Sequence, residues 1–321
     1  MYMELPSIVS VRIKFSNEFL IKDYTAKLVK SLLINGNPKL EQLFAKGKGI
    51  PPKPVHITPL YIETRDKASG KSSERAVYAR KVAKNSVAKP PRATRAKPIR
   101  IEAGREYFFY VGVSLEFLDD ILLGLSNIGR FFFGNEIIDI KSLSYEISYI
   151  NVEKESENIY RIFKSGERNY SKIIFMSPTL LKDPLVVLRK KKKKLLLPLP
   201  EAVFSTPFLM TLIDKGRLKR SIFLRSMRYI KSVFDIPYTV LKTVNLVWYV
   251  YDNEVLPAMI GYVKYFIDRQ VLQYAQTILE TKYNLDFIDI LSRALVLAQV
   301  YGVGDGRATG FGHISINFPT G

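Results

Sequence analysis

Apolar and polar residues alternate from Ile8 to Phe15. Val9, Val11, Ile13 and Phe15 fall on one side and Ser10, Arg12 and Lys14 on the other, the period of a half-buried strand. The period then changes. Tyr24, Leu28 and Leu32, with Val29 and Leu33, recur at helical steps and predict a helix that stops near Asn35-Gly36, with Asp23 offered as N-cap. Lys27 and Lys30, three residues apart, share its other face. Asn37-Pro38 opens a second short helix, Lys39 to Ala45, which Lys46-Gly47-Lys48-Gly49 breaks. Pro54 to Ile62 predicts a strand made irregular by its prolines, and Ile99 to Ser114 another. Leu115 to Ile128 is a helix with Phe117, Ile121 and Leu125 at four-residue steps, and Ile137 to Ile150 a further strand.

Strand, helix, strand, strand, helix, strand is the ferredoxin-like order, which RNA-recognition modules also use. The RNP1 aromatic signature of those modules is not evident, and Tyr107 to Tyr110 reads as a core strand. The same order is traced again from about residue 157. Ile173 to Leu181 is a strand ending in a turn, Ser205-Thr206-Pro207 opens helices that run to about Phe234 with a break near Gly216, and Leu241–Tyr251 pairs with Ala258–Ile267 around Asp252-Asn253. Phe287, Ile290, Leu291, Ala294, Leu295 and Ala298 line a closing helix, and Ile314 to Phe318 alternates as a last strand. The predicted fold is α+β: two tandem ferredoxin-like (RRM-like) domains, 1–152 and 153–321.

Charge adds a partner to this outline. The 49 Lys and Arg outnumber the 30 Asp and Glu, a net +19 that calls for a polyanion. Nucleic acid is the usual one. The cations cluster in a Lys, Arg, Ser, Ala and Pro-rich insertion at 65–100, too poor in large apolar residues to pack alone, and in Arg189 followed by Lys190, Lys191, Lys192, Lys193 and Lys194. Such a run repels itself and needs solvent or phosphate. No apolar stretch reaches the ~20 residues of a membrane span, and Met1 to Ser10 lacks a secretory pattern. With no cysteine and only two histidines, His56 and His313, disulfides and thiolate or histidine metal clusters are not expected. The expectation is a cytoplasmic RNA-binding protein without metal, cofactor or membrane partner.

The densest pattern is C-terminal. Gly302, Gly304, Gly306, Gly310 and Gly312 fall within eleven positions, with Arg307 among them. Gly302 stands where a helix C′ residue would. Helix, glycine loop, strand is the reverse of a Walker loop or a dinucleotide fingerprint, both of which run from strand to helix. Gly302-Val303-Gly304 and Gly310-Phe311-Gly312 instead resemble the glycine-rich loop near the C-terminus of the RAMP superfamily of CRISPR-associated RNA-binding proteins.

Within that superfamily the chain is most similar to the repeat-processing endoribonucleases. The similarity rests on the first helix followed by Asn37-Pro38-Lys39-Leu40, on Lys53-Pro54, on the Ser177-Pro178-Thr179-Leu180-Leu181 turn and on the terminal loop. It implies metal-independent cleavage of the CRISPR precursor transcript within its repeats, by 2′-hydroxyl attack, leaving a 2′,3′-cyclic phosphate and a 5′-hydroxyl. Many members carry a His after the first helix, where this chain has Ala45 and Lys46, and an Arg of some members has no match around Pro257. Members lacking the His use lysines, which carries over to Lys30, with Lys27 beside it, and Lys53. His56 is the alternative acid or base. Phosphate contacts are expected from Lys190–Lys194 and the 65–100 insertion, and a close approach to the RNA backbone from Gly302, Gly304, Arg307, Gly310 and Gly312. The implied partners are precursor and processed repeat RNA, with a CRISPR effector complex and a homodimer left open. The alternative function is a non-catalytic RAMP subunit that holds guide RNA.

Overall fold

The computed structural model describes residues 5–22, 24–45, 52–65, 72–78, 80–81, 98–185, 194–236, 243–251 and 254–319. Asp23, Asn253, Lys190–Lys193, the Lys46–Lys48 turn and most of the 65–100 insertion lie outside them.

The alternating run at the start becomes β1 (Ser7–Phe15), the centre of an antiparallel sheet. It lies between β5 (Glu106–Val113) and β7 (Glu136–Tyr149). Outward of β5 come β3 (Tyr61–Arg65) and β4 (Ser72–Ala76), with β2 (Val55–Ile57) also on β5, and outward of β7 comes β6 (Arg130–Phe133). The strand expected from Pro54 to Ile62 is thus two strands, parted at Thr58-Pro59-Leu60, because a proline cannot donate to a ladder. Helices α1 (Thr25–Gly36), α2 (Leu40–Phe44) and α3 (Leu115–Ser126) cover one face. Leu28, Val29, Leu32 and Leu33 of α1 and Ile121 and Leu125 of α3 pack on Val9, Val11 and Ile13 in a single core.

A second antiparallel sheet follows. Its order is β11 (Ile314–Asn317), β8 (Tyr170–Thr179), β10 (Glu254–Ile267), β9 (Val244–Tyr251). Residues Arg80–Lys81, from within the first half's insertion, add a short strand to the β9 edge and so tie the two sheets together. The insertion expected to be a basic loop thereby also supplies β4, whose register with β3 runs from Tyr61↔Ala76 to Arg65↔Ser72.

The helices of this half are α4 (Val152–Ser165), α5 (Pro200–Val203), α6 (Ser205–Asp214), α7 (Arg220–Val233), α8 (Arg269–Tyr283) and α9 (Phe287–Tyr301). Periodicity did not predict α4, although its signals are local: Asn151 caps Lys154 N at 3.0 Å, Val152, Ser156, Ile159 and Phe163 share the buried face, and Gly166 ends it in the left-handed region. Ser205 is not the expected N-cap. The chain is already turning in α5, and the Ser205 hydroxyl donates back to the Ala202 carbonyl at 3.0 Å. Helix α9 is buried on nearly every side, beyond the stripe its periodicity gave, because α4, α6, α8 and both sheets surround it. At Gly112 of β5 a Cβ would fall 1.9 Å from the Val300 carbonyl oxygen, which is how closely α9 crosses the first sheet. No helix among the described residues is long and apolar enough to cross a membrane.

Candidate active site

Lys30 leaves α1 on the side away from its buried stripe. Its Nζ donates to the Phe44 carbonyl at 3.3 Å and lies 5.8 Å from the centre of the Phe44 ring. Lys53, just before β2, donates to the Leu43 carbonyl at 2.7 Å and to that of Ala45. Both ammonium groups therefore converge on the last carbonyls of α2, which have no partner within the helix. Partial burial first, and then the positive charge of Lys30, lower the pKa of Lys53 below the usual lysine value. Lys27 diverges from this pair: its Nζ sits 4.7 Å from the centre of the Tyr251 ring, on β9.

His56 has a different situation. It is 1% exposed, and its Nδ1 donates to the Arg307 carbonyl at 2.9 Å. Its ring stacks on His313 at 5.4 Å, and His313 stacks in turn on Tyr110 at 5.5 Å. Burial, and then the neighbouring His313, hold His56 well below the ordinary imidazole value, while burial takes His313 down to about 4. Both rings are therefore neutral. All three residues of β2 are buried, and the His56 ring packs against Arg307 O and His313.

The glycine loop begins at Gly302, the C-cap of α9, whose φ of 69° ends the helix. The loop closes on itself and on β8: Val303 N donates to Gly312 O at 2.8 Å, Gly312 N to Pro178 O at 3.1 Å and Asp305 N to Leu180 O at 2.8 Å. Its far end lies on α1. The Tyr24 hydroxyl donates to Gly310 O at 2.7 Å, and the Tyr24 and Phe311 rings are parallel, 3° apart in plane and 4.6 Å between centres. A Cβ at Gly310 would lie 2.1 Å from the Ala26 Cβ, and one at Gly312 1.9 Å from the Val303 carbonyl oxygen.

The close approach that the glycines encode is made by the chain itself: Gly302 faces Gly312 O and His56, Gly304 faces Leu180 O, and Gly310 faces α1. Arg307 likewise points inward, 7% exposed, with Nη1 donating to Tyr301 O at 2.9 Å and Nη2 to Lys53 O at 3.3 Å. In this structure it anchors the main chain of Lys53 to the end of α9. Of the 190–194 run only Lys194 is described. It is exposed, in a short ladder where Lys194 pairs with Lys182 and Leu195 with Leu181.

Sequence reasoning missed Tyr24, whose hydroxyl and ring fasten the glycine loop, and the cluster of Tyr61, Tyr110 and His313 between the sheets. Tyr24 looks like any apolar position opening a helix. Its partner Phe311 was visible as the apolar residue inside the second Gly-x-Gly.

No protein-family model matches the chain, and no curated protein does. Solved structures match it along nearly its whole length. A Cas6 product complex is 13% identical with a TM-score of 0.59, covering 98% of this chain and 100% of that one. Thermus thermophilus Cas6 is 13% identical with a TM-score of 0.50, covering 98% of each. A structure described as a RAMP protein binding different RNA substrates is 10% identical with a TM-score of 0.50, covering 97% and 99%. At such low identity the likeness is one of fold: over nearly its entire length this chain has the mixed, antiparallel α/β fold of the Cas6 and RAMP proteins.

Proposed function

We propose that the chain is a metal-independent endoribonuclease that cleaves CRISPR precursor RNA within its repeats, built from two ferredoxin-like units, 1–152 and 153–321. The order β7-β1-β5-β3 in the first sheet and β11-β8-β10-β9 in the second supports the two units, since each places the unit's first strand between its third and its last. The observation that carries the activity is the convergence of the Lys30 and Lys53 ammonium groups on one helix end, with the Lys53 proton loosened.

Each ammonium has three protons, and Lys53 spends two on carbonyls among the described residues. In the reaction the 2′-oxygen attacks the adjacent phosphorus, and the bond from phosphorus to the 5′-oxygen breaks. The 2′-hydroxyl proton passes to water. Lys53 gives a proton to the departing 5′-oxygen, and Lys30 stands as fixed positive charge for the phosphoryl oxygens. His56, enclosed and neutral, takes no part.

The test is incubation of repeat RNA with the protein in EDTA, with the ends of the products analysed. A 2′,3′-cyclic phosphate is expected. Lys30→Ala and Lys53→Ala should each slow cleavage by on the order of 10²- to 10⁴-fold. Undiminished cutting by both variants refutes the assignment. One observation favours a second reading: lysines on helix-end carbonyls also act as plain caps, as they would in a non-catalytic RAMP subunit holding guide RNA. Such a subunit would bind the same RNA and leave it whole.

A further inference from the structure

The outer face of the second sheet has a surface that the cleavage site does not use. Along β8 and β10, Ser171, Ile173, Val263 and Tyr265 are buried under the helices. The alternate positions face the other way, in the register Tyr170↔Phe266, Lys172↔Lys264, Ile174↔Tyr262. Tyr170 is 38% exposed and Phe266 39%, and their rings meet edge to face at 5.5 Å. One row along, Lys172 Nζ lies 4.5 Å from the centre of the Tyr262 ring and Lys264 is exposed.

We infer that this face is a stacking platform for single-stranded RNA, on which the Tyr170 and Phe266 rings take bases while Lys172 and Lys264 take phosphates. The choice of RNA as occupant rests on the function proposed above.

A single exposed aromatic side chain needs no explanation. Three things set this pair apart. The two rings lie side by side on the central strands of an open sheet whose opposite face is closed by helices, the arrangement from which RNA-recognition modules stack bases. The lysines lie on the same face, in the next row. No outward position along Tyr170–Met176, Ile260–Phe266 or Ser315–Asn317 is acidic; the exposed Asp235 stands in register with Phe266 at the edge beyond it, and neither lysine makes an ion pair among the described residues. The corresponding face of the first sheet is different: Arg12 and Lys14 are both paired with Glu106, at 3.0 and 3.3 Å, and the Tyr110 hydroxyl is donated to Glu74 at 2.8 Å. Its two cations already share one carboxylate, whereas Lys172 and Lys264 of the second sheet make no ion pair among the described residues. The pair escapes a motif search because its members come from distant parts of the chain and meet only through the β8–β10 register.

The experiment uses the full chain and an oligouridylate of about eight nucleotides, within the range one such surface covers. Fluorescence anisotropy with the Tyr170→Leu/Phe266→Leu double variant should show binding weakened by on the order of 10- to 100-fold, since leucine keeps apolar bulk but offers no π face. Tyr170→Phe should bind as the parent does. For repeat RNA the double variant should raise KM and leave kcat unchanged. A 4-thiouridine oligonucleotide should crosslink to the peptides bearing Tyr170 or Phe266. Unaltered affinity in the leucine variant, or crosslinks confined to other peptides, overturns the platform. The two readings fail separately: a protein that binds the oligonucleotide through these rings but cuts no repeat RNA keeps the platform and loses the nuclease. Cutting with affinity indifferent to both rings does the reverse.

Discussion

Gly310→Ala tests whether the glycine loop is shaped by protein contacts. Its φ of 97° lies where a side chain is strained, at a cost of about 1–2 kcal/mol. The new Cβ would stand 2.1 Å from the Ala26 Cβ and 2.8 Å from Tyr24 Cε1, so either α1 or the loop must move. Overpacking of that kind costs about 1–3 kcal/mol. Displacing the loop also weakens the Tyr24 hydroxyl bond to Gly310 O, another ~1 kcal/mol. The sum is about 3–6 kcal/mol. Gly104→Ala supplies the control, because Gly104 has a φ of 71° but nothing within 4 Å of a Cβ, leaving the conformational cost alone. Urea unfolding of the two variants should therefore separate them by about 2–4 kcal/mol. Adding Ala26→Gly should recover part of the Gly310→Ala loss, since it removes the nearer of the two obstructing atoms. If Gly310→Ala costs no more than Gly104→Ala, the loop does not rest on α1 and the account of its glycines is wrong.

Arg307→Met keeps the apolar bulk beside Met210 but abandons the carbonyls of Tyr301 and Lys53. It should cost about 3–6 kcal/mol of stability, from two charge-assisted bonds, and lower kcat for repeat RNA more than it changes KM. A variant with parental kcat would show that Lys53 needs no such anchor. Stability should also fall with acid. His313, at about 4 in the fold and near 6.5 unfolded, stays neutral where the unfolded chain takes up a proton. Its contribution is full above about pH 6.5 and lost as the pH drops towards 4, with about 1.4 kcal/mol gone by pH 5.5 and His56 acting in the same direction. A urea midpoint that is flat from pH 7.5 to 5.5, or a slope unchanged in His313→Phe, would contradict this. RNA affinity should fall linearly on logarithmic axes with rising salt, by a slope of about −0.7 for each phosphate engaged. A flat titration would rule out a phosphate-led interface.

Much of this protein was determined locally. The alternation of Val9, Val11 and Ile13, the stripe from Tyr24 to Leu33 and the short helix after Pro38 each obey a period set by backbone geometry, and each element formed within a few residues of its expected limits. The charge that asks for a polyanion, and the glycines that ask for close contact, are also plain in the sequence. What the glycines touch is not. A missing side chain shows that space is scarce without showing which neighbour takes it, and only the packed chain puts Ala26, Leu180 and Val303 there. Likewise nothing in the sequence around Arg307 shows that its guanidinium turns inward to the main chain of Lys53, or that His56 is buried against the His313 ring and the Arg307 carbonyl. Tyr170 and Phe266 become neighbours only through the register of two strands that the chain keeps far apart. Sequence determined the elements and the charge, because those depend on adjacent residues and simple sums. Tertiary structure decided the partners of each polar group, because those come from distant segments brought together by burial of a shared core.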